Sequence, residues 1–430
     1  MFSHFNFEIE QNFSRYDISK CITLVIMSIA YNILIGIFKN ILLPTLSIFS
    51  KKIKGFLLVR LNLISKISRE IDTTKKHIWI HTSSLGEYEL AIPLIKEIKK
   101  NFNEKIILTF FSESGFKLKK RIKEISYTYY LPIDTKYNAK EFIRIVNPNI
   151  SIFIKQEIWP NYIKELKKKN IGSYLVNYTF NRFTSRILSS TIREFNKIYV
   201  QDKISLENLE KLGFDNVKYS GDLKFNRALL QKNEVYQNDK LQRYLMGYQC
   251  MVFGSTWEKD EEIIIKYIKN SKVKGFKYII APHVVNKKNI ERIKNKFNNE
   301  VNLLNDKIYN ARYNVLLINS IGVLKYIYKF AIISYVGGGF NKKGLHNILE
   351  TCIYGNPIII GKNYKFFNEA NELIRLKGVF NIKNSKEFHE IVNELLMNEK
   401  KRNEIKIINT KFINDNLVSI NQIIKSIKNE

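Results

Sequence analysis

A carboxylate three residues beyond a serine, where an apolar strand turns into a helix, is the first place in this chain where chemistry could sit. The stretch His77-Ile78-Trp79-Ile80-His81-Thr82-Ser83-Ser84-Leu85-Gly86-Glu87 reads as a short buried strand from Ile78 to His81, a Ser/Gly turn and the start of a helix. Turns of this kind hold ligands at the carboxyl ends of the strands in α/β sheets. Glu87 has two readings. Ser84-Leu85-Gly86-Glu87 fits the S-x-x-E capping box, with Ser84 as cap and Glu87 reaching back to the Ser84 amide. In the other reading Glu87 is a catalytic carboxylate that takes a proton. Spacing alone favours the cap.

Further strand ends carry polar groups. Thr109-Phe110-Phe111-Ser112-Glu113-Ser114-Gly115 runs into the basic stretch Phe116-Lys117-Leu118-Lys119-Lys120-Arg121, and free amides at such a helix start suit an anion. A solvated helix face explains the lysines equally well. Lys155-Gln156-Glu157-Ile158-Trp159-Pro160-Asn161 sets a carboxylate beside Trp-Pro at a strand end, either for chemistry or to pair with a lysine. In Gly221-Asp222-Leu223-Lys224-Phe225, Lys224 could hold a phosphate or be an exposed turn lysine. The strongest pattern is Ser334-Tyr335-Val336-Gly337-Gly338-Gly339-Phe340, a strand entering three glycines, with Leu345-His346-Asn347-Ile348-Leu349-Glu350 opening a helix after it. Glycines admit a ligand to the backbone and a helix N-terminus favours phosphate. Asn347 could assist and Glu350 could take ribose hydroxyls, while His346 reads as structural. The spacing is neither G-x-G-x-x-G nor a P-loop, which argues against a dinucleotide dehydrogenase or an ATPase. Gly254-Ser255-Thr256-Trp257 and Ala281-Pro282-His283 add sheet-end groups. The six histidines form no metal spacing, so no protein-bound metal or other cofactor is expected.

The elements that must position these residues alternate. Strands are expected at Ile78–His81, Ile106–Phe111, Tyr127–Leu131, Ile150–Ile154, Ser173–Asn177, Ile198–Val200 and Val217–Ser220. The rhythm restarts at Met251–Phe253 and continues through Tyr278–Ala281, Val315–Ile318, Ile332–Val336, Pro357–Ile360 and Val379–Ile382. Apolar runs alternating with amphipathic helices imply parallel sheets with helices on both faces. A length of 430 residues suits more than one core. The expected organisation is a polar N-terminus at 1–20, an anchor and juxtamembrane segment at 21–49, one domain at 50–225, a polar linker at 226–248 and a second domain at 249–430. Two consecutive doubly wound domains leave a cleft suited to two substrates.

Cys21 to Phe38 contains no charged residue, and as a helix it would reach roughly 27 Å, about the thickness of a hydrocarbon core. Lys39, Lys51, Lys52, Lys54 and Arg60 follow it, so the positive-inside rule keeps the body of the protein cytoplasmic. An interfacial helix is the alternative, since Asn32 and Gly36 weaken a span. The net charge of +30 is compatible with nucleic acid, an anionic membrane or an anionic substrate, but no zinc-finger or RNA-recognition signature is present. Three scattered cysteines give no disulfide framework and suit a reducing compartment.

Taken together and in order, Ser83-Ser84-Leu85-Gly86-Glu87, Leu131-Pro132-Ile133-Asp134, Glu157-Ile158-Trp159-Pro160-Asn161, Gly221-Asp222-Leu223-Lys224-Phe225, Gly322-Val323-Leu324 with Tyr328, and Val336-Gly337-Gly338-Gly339 through Glu350 resemble the 3-deoxy-D-manno-octulosonic acid (Kdo) transferases of Gram-negative lipopolysaccharide synthesis. The resemblance runs from the N-terminal segment to about residue 380. It implies an α/β fold of GT-B type, two doubly wound Rossmann-like domains facing a cleft, with an N-terminal membrane-anchor helix at the cytoplasmic face of the inner membrane. It implies inverting transfer of Kdo from CMP-Kdo to a phosphorylated lipid A precursor, with no metal in the enzyme, no nucleic-acid partner, and contact with inner-membrane lipid. Glu87 becomes the general base and Lys224 the group that stabilises the departing CMP, with Glu157 as a further catalytic residue. Pro282, His283, Gly322, Val323, Leu324, Asn347, Ile348, Leu349 and Glu350 would line the CMP site. Ser83, Ser84, Gly86, Ser114, Gly115 and Lys117 would face the acceptor.

Two positions depart from the family pattern. Many members carry Glu-x-Glu before Trp-Pro, where this chain has Lys155, so any role of that first glutamate must be met differently. Many also carry Pro-Arg-His where this chain has Pro282-His283, without the arginine. The competing classes are another GT-B transferase using a UDP-sugar and a lipid acceptor, a sugar-nucleotide epimerase, and a non-catalytic membrane-binding protein.

Overall fold

A computed structural model describes residues 26–116, 122–271, 273, 275–342 and 344–429. The chain divides into two compact units, Met1–Leu223 with Val418–Glu430, and Lys224–Leu417. Each unit holds one seven-stranded sheet.

In the first unit the strands are β1 (His77–His81), β2 (Lys105–Phe110), β3 (Ile125–Tyr130), β4 (Pro148–Ile154), β5 (Gly172–Tyr178), β6 (Lys197–Val200) and β7 (Val217–Tyr219). Their order is β3-β2-β1-β4-β5-β6-β7, and all the pairings are parallel. β1 is buried along its whole length, which is why it reads as continuously apolar rather than alternating. Strand geometry puts Trp79 and His81 on one face and Ile78 and Ile80 on the other. Trp79 packs edge-on against Phe142 and Phe153 in the core. Because β1 leads outward to β2 on one side and lies beside β4 on the other, the crevice at its carboxyl end is the switch point of the sheet.

The second unit has β8 (Gln249–Thr256), β9 (Phe276–Pro282), β10 (Asn302–Leu303), β11 (Val315–Leu317), β12 (Ile333–Val336), β13 (Ile358–Gly361) and β14 (Val379–Ile382). The order β10-β11-β9-β8-β12-β13-β14 follows the same doubly wound plan with β10 added at one edge, again all parallel, and places the switch point between β8 and β12. Every strand expected from the sequence is present within a few residues. The two-residue β10 is additional, and a run of Asn-Leu carries no signal for it.

Three boundaries differ from expectation. Residues 226–248 are not a linker: the helices Leu223–Lys232 and Asp239–Leu245 bury Phe225, Ala228, Leu241, Tyr244 and Leu245 in the core of the second unit. These apolar residues recur at helical spacing between polar ones, so polarity by count concealed an amphipathic pair. The C-terminal domain does not extend to the end of the chain. The helix Ile420–Lys428 buries Ile420, Ile423, Ile424 and Ile427 and packs on the helix Leu85–Asn101 of the first unit. The apolar N-terminal helix continues past Phe38 and Lys39 to Phe49, through a wider turn at Phe38–Leu42. Pro44 is accommodated because it opens the next α-helical stretch, Leu43–Phe49. Cys21 and the polar segment 1–20 lie outside the described residues, while Cys250 and Cys352 are buried free thiols.

Candidate functional site

The two switch points gather the candidate residues, each within its own unit. At the first, the helix Leu85–Asn101 opens with Ser84 in extended conformation, and the reciprocal capping box is formed. Glu87 Oε2 accepts from the amides of Ser83 at 2.5 Å and Ser84 at 3.0 Å. The capping reading is therefore correct as local structure. It also holds the carboxylate in place just beyond the carboxyl end of β1. Glu87 is half-buried. Loss of hydration, then the nearby Glu157 carboxylate, push its pKa above the ordinary glutamate value, against the two amides and His81.

Glu157 follows β4 and is held from two sides. Its Oε2 lies 3.0 Å from His81 Nε2 and accepts from Trp159 Nε1 at 2.9 Å. His81 Nδ1 lies 2.8 Å from Thr109 Oγ1, which also accepts from Trp79 Nε1 at 2.8 Å. His81 and Thr109 are register partners on β1 and β2, which is why their side chains meet. The His81 ring thus bridges the Thr109 hydroxyl and the Glu157 carboxylate. Trp79, Thr109 and His81 are all fully buried. This buried relay was missed at the sequence level, where Thr109 and His81 read only as strand residues. The signal was the alternation Trp79–His81 on one strand with Thr109 opposite.

Lys155, which replaces the family's first glutamate, immediately follows β4 with φ +64°. Ser255, with φ +53°, lies within the end of β8, where the register with β9 shifts between Gly254 and Thr256. Asp134 of the Leu-Pro-Ile-Asp motif is fully buried and caps the helix Pro160–Lys168, accepting from the amides of Asn161 and Tyr162 at 3.1 Å each. Burial raises its pKa to about 6. Asp222 is tied to β5 through Asn177, whose side chain also accepts from the Leu223 amide at 2.8 Å.

The expected acceptor residues fall in different settings. Ser83, Ser84 and Gly86 do lie beside Glu87, and the Ser112 amide donates to the Ser83 carbonyl at 2.8 Å. Gly115 is buried where a Cβ would come within 2.1 Å of the Phe110 ring, so packing accounts for it. Its neighbour Ser114 belongs to the four-residue helix Glu113–Phe116. Lys117 lies outside the described residues, as do Lys119, Lys120 and Arg121.

At the second switch point three rings stack. Trp257 follows β8, His283 follows β9 and His346 follows β12. The His283 ring lies 4.6 Å from Trp257 and 4.3 Å from His346. Trp257 Nε1 donates to His346 Nε2 at 2.8 Å, so the imidazole carries its proton on Nδ1. Burial, followed by the charge of His283, lowers the His346 pKa to about 4. His346 is thus a neutral, fixed wall rather than an isolated structural histidine.

The triple glycine is required by the chain's own packing. Gly338 adopts φ +93°, and a Cβ on Gly339 would lie 2.6 Å from the Gly361 backbone. Buried Asp260 closes the turn, accepting from the Gly338 amide at 3.0 Å, the Trp257 amide at 2.9 Å and the Tyr335 hydroxyl at 2.7 Å. Ile348 and Leu349 belong to the apolar core, which leaves only their backbone to face a ligand. Asn347 turns its Oδ1 to the Leu349 amide at 3.0 Å and its Nδ2 toward Glu350 at 3.5 Å. The expected helix at Leu345 starts at Leu349 and has four residues, so its dipole is small. Pro282 is buried. Gly322, at φ +87°, precedes Val323 and Leu324 at the start of a short helix. Lys224 is ion-paired with Glu369 at 3.1 Å.

A model of the 3-deoxy-D-manno-octulosonic-acid transferase (kdotransferase) family matches residues 58–227. The chain is 30% identical over 339 residues to the 3-deoxy-D-manno-octulosonic acid transferase of Aquifex aeolicus, covering 77% of this chain and 89% of that protein. It is 28% identical over 386 residues to a bifunctional glycosyltransferase/methyltransferase of Fusobacterium nucleatum, covering 84% of this chain but 59% of the relative. In fold it resembles the UDP-GlcNAc 2-epimerase of Neisseria meningitidis solved with UDP-GlcNAc, with a TM-score of 0.59, 13% identity, and coverage of 83% of this chain and 100% of that one. With the described strands in the order of two doubly wound, GT-B-like units and the sequence match spanning both, the chain belongs to the 3-deoxy-D-manno-octulosonic acid transferase family of glycosyltransferases.

Proposed function

We propose that this Kdo transferase moves Kdo from CMP-Kdo to a lipid A precursor with inversion, and that Glu87 is its general base. The observation that carries this reading is the Glu87 carboxylate. It stands at a sheet switch point, held by two amides, with its proton affinity raised by burial and by Glu157. A base of raised pKa accepts a proton more readily near neutral pH. The acceptor hydroxyl gives its proton to Glu87 as its oxygen bonds to the sugar's anomeric carbon, and CMP departs with the bonding electrons. Glu157, fixed by His81 and Trp159, keeps negative charge beside Glu87. In the second unit, the backbone at Gly322–Leu324 and Asn347–Glu350 together with the Trp257/His283/His346 rings receives the CMP moiety. Lys224, once released from Glu369, supplies positive charge to the leaving phosphate, where such charge matters most.

A lipid acceptor requires a membrane seat. The helix Ile26–Phe49, with mean hydropathy 1.8, is long and apolar enough to provide one at the cytoplasmic face of the inner membrane. The test is incubation with CMP-Kdo and a tetra-acylated lipid A precursor, followed by mass spectrometry. The expected product is heavier by Kdo. Turnover with UDP-sugars and none with CMP-Kdo would overturn the reading.

A further inference from the structure

The N-terminal helix is built inside out. Along Ile26–Phe49 the covered and the exposed positions alternate with helical period. The covered face carries Ser28, Tyr31 and Asn32 among apolar Met27, Ile35 and Leu43. Tyr31 donates its hydroxyl to buried Asp134 at 2.6 Å, and Lys164 donates to Ser28 Oγ at 2.7 Å. Asn32 folds onto the Ser28 carbonyl at 2.7 Å. Apart from Asn40 and Thr45 the outer face is apolar: Ile26, Ile33, Ile37 and Ile41 are 59%, 57%, 47% and 62% exposed. A helix meeting water would be arranged the other way round. A helix crossing a bilayer would have to part Tyr31 from Asp134 and Ser28 from Lys164, and carry Ser28, Tyr31 and Asn32 into hydrocarbon.

We propose that this helix lies in the plane of an anionic bilayer, docked by its polar face on the first unit, and does not cross the membrane. The inference rests on the membrane-associated reading above and specifies its geometry. The helix is fixed by more than its own contacts. Downstream, Arg60 donates to the carbonyls of Phe111 at 2.6 Å and Leu131 at 3.1 Å, at the ends of β2 and β3, while its guanidinium covers the Phe56 ring. The apolar surface continues through Ile48, Phe49, Leu58 and Leu61, all exposed. Charge names the occupant. No acidic residue occurs between Ile26 and Arg69, whereas Lys51 and Lys52 are exposed beside the stripe. Apolar surface flanked by lysines matches acyl chains beneath anionic headgroups.

The experiment uses the full chain with Cys21→Ser, carrying single spin-labelled cysteines in place of Ile26, Ile33, Ile37 or Ile41. Each is bound to vesicles of phosphatidylcholine and phosphatidylglycerol in equal parts, and depth is read by paramagnetic relaxation. Flotation is measured first. The expected result is flotation with all four labels at one depth, within about 5 Å, near the headgroup–acyl boundary. A crossing helix would spread the same labels over roughly 22 Å along the bilayer normal. Flotation with graded depths overturns the in-plane placement and leaves the membrane reading standing. Failure to float overturns both.

Discussion

Thr109→Val removes one hydroxyl and almost no volume, yet it strikes the relay beneath the candidate base. Trp79 Nε1 and His81 Nδ1 each lie 2.8 Å from Thr109 Oγ1, and all three residues have 0% of their surface exposed. Valine leaves an indole N–H and an imidazole nitrogen buried without their partner. Each such group costs about 1–3 kcal/mol, so the substitution should destabilise the first unit by roughly 2–6 kcal/mol, a large share of a domain's ~5–15 kcal/mol. Water cannot readily repair the loss in a packed strand pair. Urea unfolding followed by tryptophan fluorescence measures it. In a Trp257→Phe background the remaining tryptophans, Trp79 and Trp159, both report on the first unit. Where Thr109→Val remains folded, kcat should fall more than KM rises, because His81 no longer holds Glu157. A midpoint shift worth less than about 0.5 kcal/mol, the size of an ordinary surface change, would refute the relay.

The remaining predictions concern pH and packing. The acid limb of kcat/KM should lie above the ordinary glutamate range, because Glu87 acts when deprotonated and burial with Glu157 raises its pKa. Glu157→Gln removes the like charge, so the limb should move to lower pH; a limb that stays put assigns it to another group. Gly339→Ala should cost the second unit about 1–3 kcal/mol, since its Cβ would sit 2.6 Å from the Gly361 backbone. Calorimetry that shows an unchanged second unit would mean this turn is looser than its backbone contacts require.

The strands were legible because a parallel sheet covered on both faces must be apolar throughout, and runs such as Ile78–Ile80 and Ile358–Ile360 announce it. The candidate site was legible where its residues fall in the turn or helix start after a strand, as with Glu87 and Glu157. What escaped depends on pairing across the sheet or on faces rather than counts. Thr109 matters only because register sets it beside His81. His346 matters because Trp257, far off in sequence, donates to it. The segment 226–248 looked like a linker because its average is polar, although Ala228, Leu241, Tyr244 and Leu245 are buried on two helices. The glycines at 337–339 looked like a ligand's approach, but their nearest demand comes from Gly361 and the Gly344 carbonyl. Lys224 read as a lone cation, since nothing local marks Glu369 as its partner.

The most direct test of the catalytic assignment is Glu87→Gln, assayed for Kdo transfer from CMP-Kdo to a lipid A precursor alongside urea unfolding. Glutamine retains the shape and an oxygen that can accept from the Ser83 and Ser84 amides, and it serves in capping boxes. It cannot take the acceptor's proton. The expected result is stability within about 1 kcal/mol of wild type and kcat lowered roughly 10²–10⁴-fold. A folded Glu87→Gln enzyme that transfers Kdo at close to the wild-type rate would reduce Glu87 to a helix cap and contradict its role as base.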